Sequence, residues 1–276
     1  MSGFRHIVRL PARWITAGLI ALALTLGSAA AWAMRVSPMV AEMSTTGATS
    51  SARIEVGNVG SAALPFETTI TRLDTDAEGN FVEVPDEENF LVFPPQGVVG
   101  VNGRQVVRVQ WVGQPDIETS KAYYLSVKQL PVPTDGKPPE AGGSVNVTVL
   151  YTMKALLIVA PPGSEPKVEV VSAKPAMLEP GSRGEPVTPD AKPEPGIEAV
   201  IANTGTRYAL MSGATWIVEG TAVDGQAFRR SYNSSDLDAA LGVGYVPPAG
   251  GRRTFKIPTD GVELDPAKPI AIRFAR

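Results

Sequence analysis

The chain contains no cysteine, and its single histidine, His6, lies within the first ten residues. The missing cysteine excludes disulfides and thiolate zinc sites. With His6 confined to a leader (below), serine–histidine and cysteine–histidine catalysis and histidine metal ligands are excluded as well. No basic block is longer than Arg229-Arg230 or Arg252-Arg253, so the electrostatic footprint of a nucleic-acid binder is missing. There is no G-x-S-x-G, P-loop or G-x-G-x-x-G pattern either. No convincing amphipathic helix interrupts Arg35–Gly205, which leaves strands and turns.

What is present begins with a leader. Arg5, Arg9 and Arg13 occur without an acidic residue, followed by an apolar run from Trp14 to Leu26 and small residues ending in Ala31-Trp32-Ala33. This is the pattern of a secretory signal peptide, residues 1–33, with an A-x-A cleavage site and Met34 as the mature N-terminus. The apolar run is short for a membrane span, so cleavage and export are expected rather than anchoring. Of 25 basic and 28 acidic residues, three arginines leave with the leader, so the mature chain carries a net charge of about −6. An exported protein without disulfides depends on its cores, and about 240 residues suffice for two.

Short alternating segments recur through the first half: Ala52–Asn58, Leu64–Leu73, Phe81–Val84, Phe90–Phe93, Gly103–Val112 and Ala122–Leu130. Val36–Met43 adds an edge strand kinked at Pro38. This density of strands and turns predicts an immunoglobulin-like sandwich. Pro131–Gly143 has no apolar periodicity and reads as a loop. Ala160–Pro166 reads as a stiff elbow, which sets domains at 34–159 and 167–276. In the second domain, Lys167–Val171, Ile197–Ala202, Ala214–Glu219, Ala227–Tyr232, Thr254–Ile257 and Ile270–Phe274 supply strands, and Lys174–Gly196 reads as a long loop. Asp236–Leu241 is consistent with one helical turn. The fold class is all-β, two sandwiches in series.

The most informative stretch is Ser144–Val159. Val145, Val147, Val149, Tyr151, Met153, Ala155, Leu157 and Val159 are apolar, whereas Asn146, Thr148, Thr152 and Lys154 are polar. Read as one strand it would span ~50 Å, against a usual strand of about 5–6 residues. Two readings follow: a long core strand running to the second domain, or a strand whose first half offers valines to another chain. The carboxylate pairs Glu87/Glu88, Asp116/Glu118 and Asp236/Asp238 sit in polar segments without the apolar surroundings that raise an acid's pKa, and read as solvated loop charges. No catalytic residue, cofactor or metal ligand is expected.

Several segments, in order, carry a family resemblance. Asp116-Ile117-Glu118-Thr119-Ser120 with Tyr123–Pro131 resembles the D-x-E-S-x-Y/F-x-L-x-V-x-x-I-P signature of periplasmic chaperones of the chaperone–usher pilus pathway. Arg53–Asn58 resembles that family's second strand, and Phe90–Pro95 with Gln105–Val109 its F-x-x-x-P-P…Q-x-x-R-V block. Ile201–Tyr208 is similar to its second-domain N-x-T-x-Y turn. The resemblance is strong over 50–160, weak after 165, and of a divergent, archaic-like kind. It implies two immunoglobulin-like sandwiches set as an L.

It also implies a function. Such a chaperone lends alternate residues of its seventh strand to the open groove of a pilus subunit and delivers the subunit to an outer-membrane usher. The family's donor residues stand nine, seven and five places before a lysine that holds the subunit's C-terminal carboxylate. Counted back from Lys154, these are Val145, Val147 and Val149, with Tyr151 continuing the row. The family's second anchor, an arginine of the first strand, aligns with Met39, which leaves Arg35 or Arg108 as substitutes. The implied partners are pilus subunits and an usher, with no nucleic acid, and an exposed valine row favours self-association when free. The alternative is a secreted β-sandwich adhesin or pilus component. A pilus subunit would carry an alternating apolar extension before its first domain, but Arg35–Met39 is short and broken by Pro38.

Overall fold

A computed structural model describes residues 34–75, 80–131, 149–183 and 187–275. The leader at 1–33, the valines Val145 and Val147, and most of the loop read at Pro131–Gly143 lie outside the described residues.

The first domain is built from β1 (Met34–Ser37), β2 (Val40–Ser44), β3 (Ser51–Asn58), β4 (Leu64–Thr75), β5 (Phe81–Pro85), β6 (Phe90–Phe93), β7 (Gln96–Val99), β8 (Arg104–Trp111), β9 (Lys121–Gln129) and β10 (Thr152–Ala160). One sheet runs β1-β3-β8-β6. The other runs β2-β10-β9-β4-β5, with β7 also paired to β4. This is the immunoglobulin arrangement of two facing sheets, antiparallel except where β2 joins β10. Pro38 separates β1 from β2, and the chain changes sheets there: β1 pairs with β3, while β2 runs parallel to β10. Pro94-Pro95 likewise ends pairing with β8 but not extended structure, because β7 crosses to β4.

Period-2 alternation places one face of each strand in a shared core. Ile54 and Val56 of β3 and Val107 and Val109 of β8 meet Phe66 and Ile70 of β4, Tyr123, Leu125 and Val127 of β9, and Ala155, Leu157 and Val159 of β10. Phe90 stands edge-on to Trp111 and Tyr123, with ring centroids 5.2 and 4.7 Å away. Burial pushes the Tyr123 phenol far above its ordinary pKa.

The second domain comprises β11 (Val168–Leu178), β12 (Glu194–Asn203), β13 (Ala209–Leu210), β14 (Thr215–Thr221), β15 (Ala227–Tyr232), β16 (Tyr245–Val246), β17 (Gly251–Pro258), β18 (Ala271–Ala275) and a helix α1 (Ser234–Leu241). Two three-stranded sheets, β11-β12-β17 and β15-β14-β18, enclose Ile197, Ile201, Trp216, Val218, Phe255 and Ile257, and β13-β16 forms a short pair. The loop expected at Lys174–Gly196 is corrected at both ends. The strand β11 continues through Pro175 to Leu178, and β12 starts at Glu194. An edge strand can accept a proline because its outward side needs no N–H. The helical turn expected at Asp236–Leu241 is a helix of eight residues. Asn233 accepts from the Ser235 and Asp236 backbone, and Asp236 accepts in return from the Asn233 N–H, a reciprocal cap that stabilises so short a helix.

The two domains share a junction. Ala122, Leu156 and Ile158 of the first pack with Tyr208 and Tyr245 of the second. Ser120, the last residue of the D-x-E-T-S segment, accepts from the Tyr208 N–H at 2.8 Å through its Oγ. The Tyr208 hydroxyl donates to Glu42 at 2.6 Å, and Arg207 pairs with the same carboxylate.

Candidate functional site

Strand β10 sends its odd residues into the first core, so its even residues, Lys154, Leu156 and Ile158, stand on the outer face of the second sheet. Their neighbours follow from register. Lys154 lies beside Ser126, Leu156 beside Tyr124, and Ile158 beside Ala122 on β9. Thr69 and Thr71 of β4 continue the row, and Leu73 of β4 meets Glu83 of β5. The second domain covers Leu156 and Ile158. Lys154, further along, remains 43 % exposed.

Lys154 Nζ donates to Glu83 Oε1 at 2.6 Å and stands 5.6 Å from the centre of the Tyr124 ring. The two backbones are three strand spacings apart, ~14 Å, so both side chains lie across the sheet. Small side chains at Ser126, Thr69 and Thr71 leave them room. Thr71 also donates to Glu83 Oε2 at 3.0 Å. The hydrogen bond from Lys154 holds the Glu83 carboxyl below its ordinary range, against partial burial and with help from Thr71.

The ladder between β9 and β10 begins at Thr152. Before it, Val149 is 60 % exposed, and Leu150 and Tyr151 are exposed too. The single strand expected over Ser144–Val159 is therefore corrected at Val149–Tyr151. The Gln129 N–H donates to Tyr151 O at 2.8 Å, but β9 ends at Gln129, and among the described residues none pairs with Val149. Three apolar side chains, Val149, Leu150 and Tyr151, reach water just before the lysine.

Met39 lies beside this site: its carbonyl accepts from the Leu156 N–H at 2.8 Å. The position aligned with the family's arginine thus borders β10 but carries no charge. Arg35 and Arg108 stand on the outer face of the other sheet, opposite Gly57 and Arg53 respectively, and the structure does not bring either to Lys154. Two residues that sequence reasoning passed over are at the site instead. One is Glu83. The other is Arg253 of β17, which donates from Nη1 to Tyr245 O at 3.0 Å and stands 5.3 Å from the Phe81 ring. Among the described residues, no group of histidine, aspartate and glutamate side chains could hold a metal ion.

No family model matches the chain, and no curated protein matches it. Solved structures do. The class 5 fimbriae chaperone CfaA is 11 % identical over 88 % of this chain and 99 % of its own, with a TM-score of 0.48. The Salmonella enterica SafA pilin–SafB chaperone complex is 14 % identical over 89 % and 99 %, with a TM-score of 0.47. The CsuC–CsuE chaperone–tip subunit complex of the archaic Csu pili of Acinetobacter baumannii is 11 % identical over 83 % and 92 %, with a TM-score of 0.46. A chaperone is present in all three. At such identities the functional reading rests on the motifs and the site.

Proposed function

We propose that the chain is an exported chaperone of pilus or fimbrial subunits. It would hold a subunit by lending the segment of Val145, Val147, Val149 and Tyr151 to an apolar groove, with Lys154 on the subunit's C-terminal carboxylate, and pass it to an outer-membrane usher. The observation that carries this is the break at Thr152. From that residue on β10 is an ordinary core strand, and just before it lies an exposed apolar segment whose Val149 and Tyr151 stand five and three places ahead of a lysine on the outer sheet face. An extended segment with free backbone groups and alternate apolar side chains is what strand addition requires, as in pilin donor-strand complementation. Left unpaired, it also favours self-association of the free chain.

The test is co-expression with each secreted β protein encoded in the same gene cluster. A soluble one-to-one complex with at least one of them is expected. If all remain aggregated in its presence, the reading fails.

A further inference from the structure

The second sandwich is open along one side. Its two sheets end on β11 and β18, and among the described residues nothing pairs with the outer edge of either strand. The residues that alternation turns inward on these edges, Val168 and Val170 on β11 and Ile272 and Phe274 on β18, pack against the core yet stay half-buried. Their counterparts on the inner strands, Ile197 and Ile201 of β12 and Trp216 and Val218 of β14, are fully buried. An immunoglobulin sandwich has seven strands, and the last closes this side by pairing with the sixth. Here β18 is the sixth long strand of the domain. A cavity of about 540 Å³ opens where a seventh would run, with Val168, Leu210, Met211, Ala214, Phe274 and Ala275 in its lining.

The two edges are not alike. Strand β11 carries Lys174, Pro175 and a bulge between Val170 and Ser172, devices that keep an edge from pairing. Strand β18 has no proline, and its one charged residue, Arg273, is bound to Glu219 of β14 at 2.6 Å. A row of unpaired backbone groups beside half-covered apolar side chains is a template for an added strand. The strand that suits it is uncharged and apolar at alternate positions. The stretch Ser144–Thr152, S-V-N-V-T-V-L-Y-T, fits, with Val145, Val147 and Val149 in one phase. Its described part before β10, Val149–Tyr151, lies exposed outside the ladder. Other exposed apolar residues, such as Leu91 and Phe93 of β6, already belong to a paired strand. The segment leaves β10 at the end away from the elbow, with nine residues of strand, ~30 Å, in between, whereas the cavity opens beside Pro166 just past the elbow.

We infer that the second domain is an acceptor for an added β-strand, and that its occupant is the 144–152 segment of a second copy of this chain. The segment pairs with the outer edge of β18 and sets its valines against Val168, Val170, Ile272 and Phe274. Entry buries no unpaired charge, because the segment has none and Arg273 keeps its partner. This acceptor is distinct from the pilus subunit proposed above. The inference needs no such subunit and stands apart from that reading. One-way donation builds a chain of copies, and reciprocal donation closes a dimer.

The test uses the mature chain and a fluorescein-labelled peptide of sequence Ser144–Thr152, with binding read by anisotropy and its place by hydrogen exchange. Val147→Asp spoils the donor row of the protein and keeps the groove. It is expected to weaken self-association in sedimentation about tenfold and still to bind the peptide. On peptide addition Ala271–Ala275 should gain protection, while Ala227–Tyr232, the edge at the other side of the same sheet, stays unchanged. A peptide with Val147→Asp and Val149→Asp should not bind. Val168→Lys, which puts a charge in the groove, should weaken the wild-type peptide about tenfold. The exchange map needs no change in the groove, so it decides even where Val168→Lys disturbs the fold. Protection confined to the first domain, or no peptide binding by the Val147→Asp protein, overturns the inference and leaves the subunit-binding reading as it is. A wild type that sediments as a monomer at every concentration overturns it too. If Ala271–Ala275 is then protected in wild type and unprotected in Val147→Asp, the segment fills the groove of its own chain.

Discussion

Lys154 Nζ and Glu83 Oε1 are 2.6 Å apart, although β9 and β4 lie between their strands. The contact ties the edge strand β5 across the face that the second domain partly covers. It also gives the Glu83 carboxyl a low pKa, caused first by the bond from Lys154. A carboxyl whose pKa is lowered by folding adds stability above its unfolded value, near 4.5, and loses it as pH falls through the folded value. Asp74, held low by its bond from Arg72, acts in the same sense. Stability should therefore fall below about pH 4.5. Both groups are partly exposed, so the Glu83 share is below ~1 kcal/mol. Urea unfolding at pH 6 and pH 3 should show a smaller acid loss for Lys154→Ala than for wild type. An equal loss would mean that the pair does not persist in solution.

The junction makes a second prediction. Glu42 accepts from the Tyr208 hydroxyl at 2.6 Å and pairs with Arg207, so one side chain of β2 holds two residues of the second domain. Glu42→Ala should cost about 1 kcal/mol, since a charged hydrogen bond is lost at a partly exposed site. Tyr208→Ala removes a buried ring stacked on Tyr245 at 6.1 Å and should cost about 3 kcal/mol. Calorimetry is expected to show the two domains melting further apart in Tyr208→Ala. A single unshifted transition would show that the junction adds nothing to cooperativity.

Local pattern made much of this architecture legible and left the site half visible. Alternation in Ile54/Val56, Val107/Val109 and Tyr123/Leu125/Val127 marks strands whichever sheet they join, because each face meets one environment. The same alternation puts Lys154 on the outer face. It says nothing of what lies three strands away, so Glu83, 71 positions earlier, could not be paired with Lys154 by period or spacing. Sheet order decides that, and sheet order depends on where prolines such as Pro38 and Pro95 send the chain. The extension of β11 through Pro175 was hidden for a related reason. A proline is tolerated in a strand only at an edge, and edges are a property of the assembled sheet. The cap of α1 by Asn233 and Asp236 escaped the sequence reading, which began the turn at Asp236, because such a box is more often closed by glutamate.

Hydrogen exchange gives a third prediction. The Val149 and Leu150 amides should exchange as in an unfolded chain, because no ladder bond of β9 reaches them, while Leu156–Val159, fully paired and buried, should be the slowest in the first domain. On subunit binding, protection should appear at Val149–Tyr151 and leave Leu156–Val159 as it was. Strong protection of Val149 in the free chain would favour a strand already paired.

The last prediction separates groove filling from anchoring. Val149 is 60 % exposed, so Val149→Asp should change the stability of the free protein by no more than about 0.5 kcal/mol. In a subunit groove the same carboxylate would lose its water, at a cost of several kcal/mol, enough to abolish capture. Lys154→Ala should also leave the fold nearly unchanged, since its pair with Glu83 is exposed, and reduce subunit affinity about 10- to 100-fold. The milder Val149→Thr keeps the shape and adds one hydroxyl, so its affinity stays measurable. In combination with Lys154→Ala, its effect should add to that of the lysine within about 0.5 kcal/mol, because the two positions stand five apart in the chain and act through different partner groups. Strong non-additivity would show that the lysine sets the register of the donor segment. Full capture by Val149→Asp would show that this segment does not enter the groove.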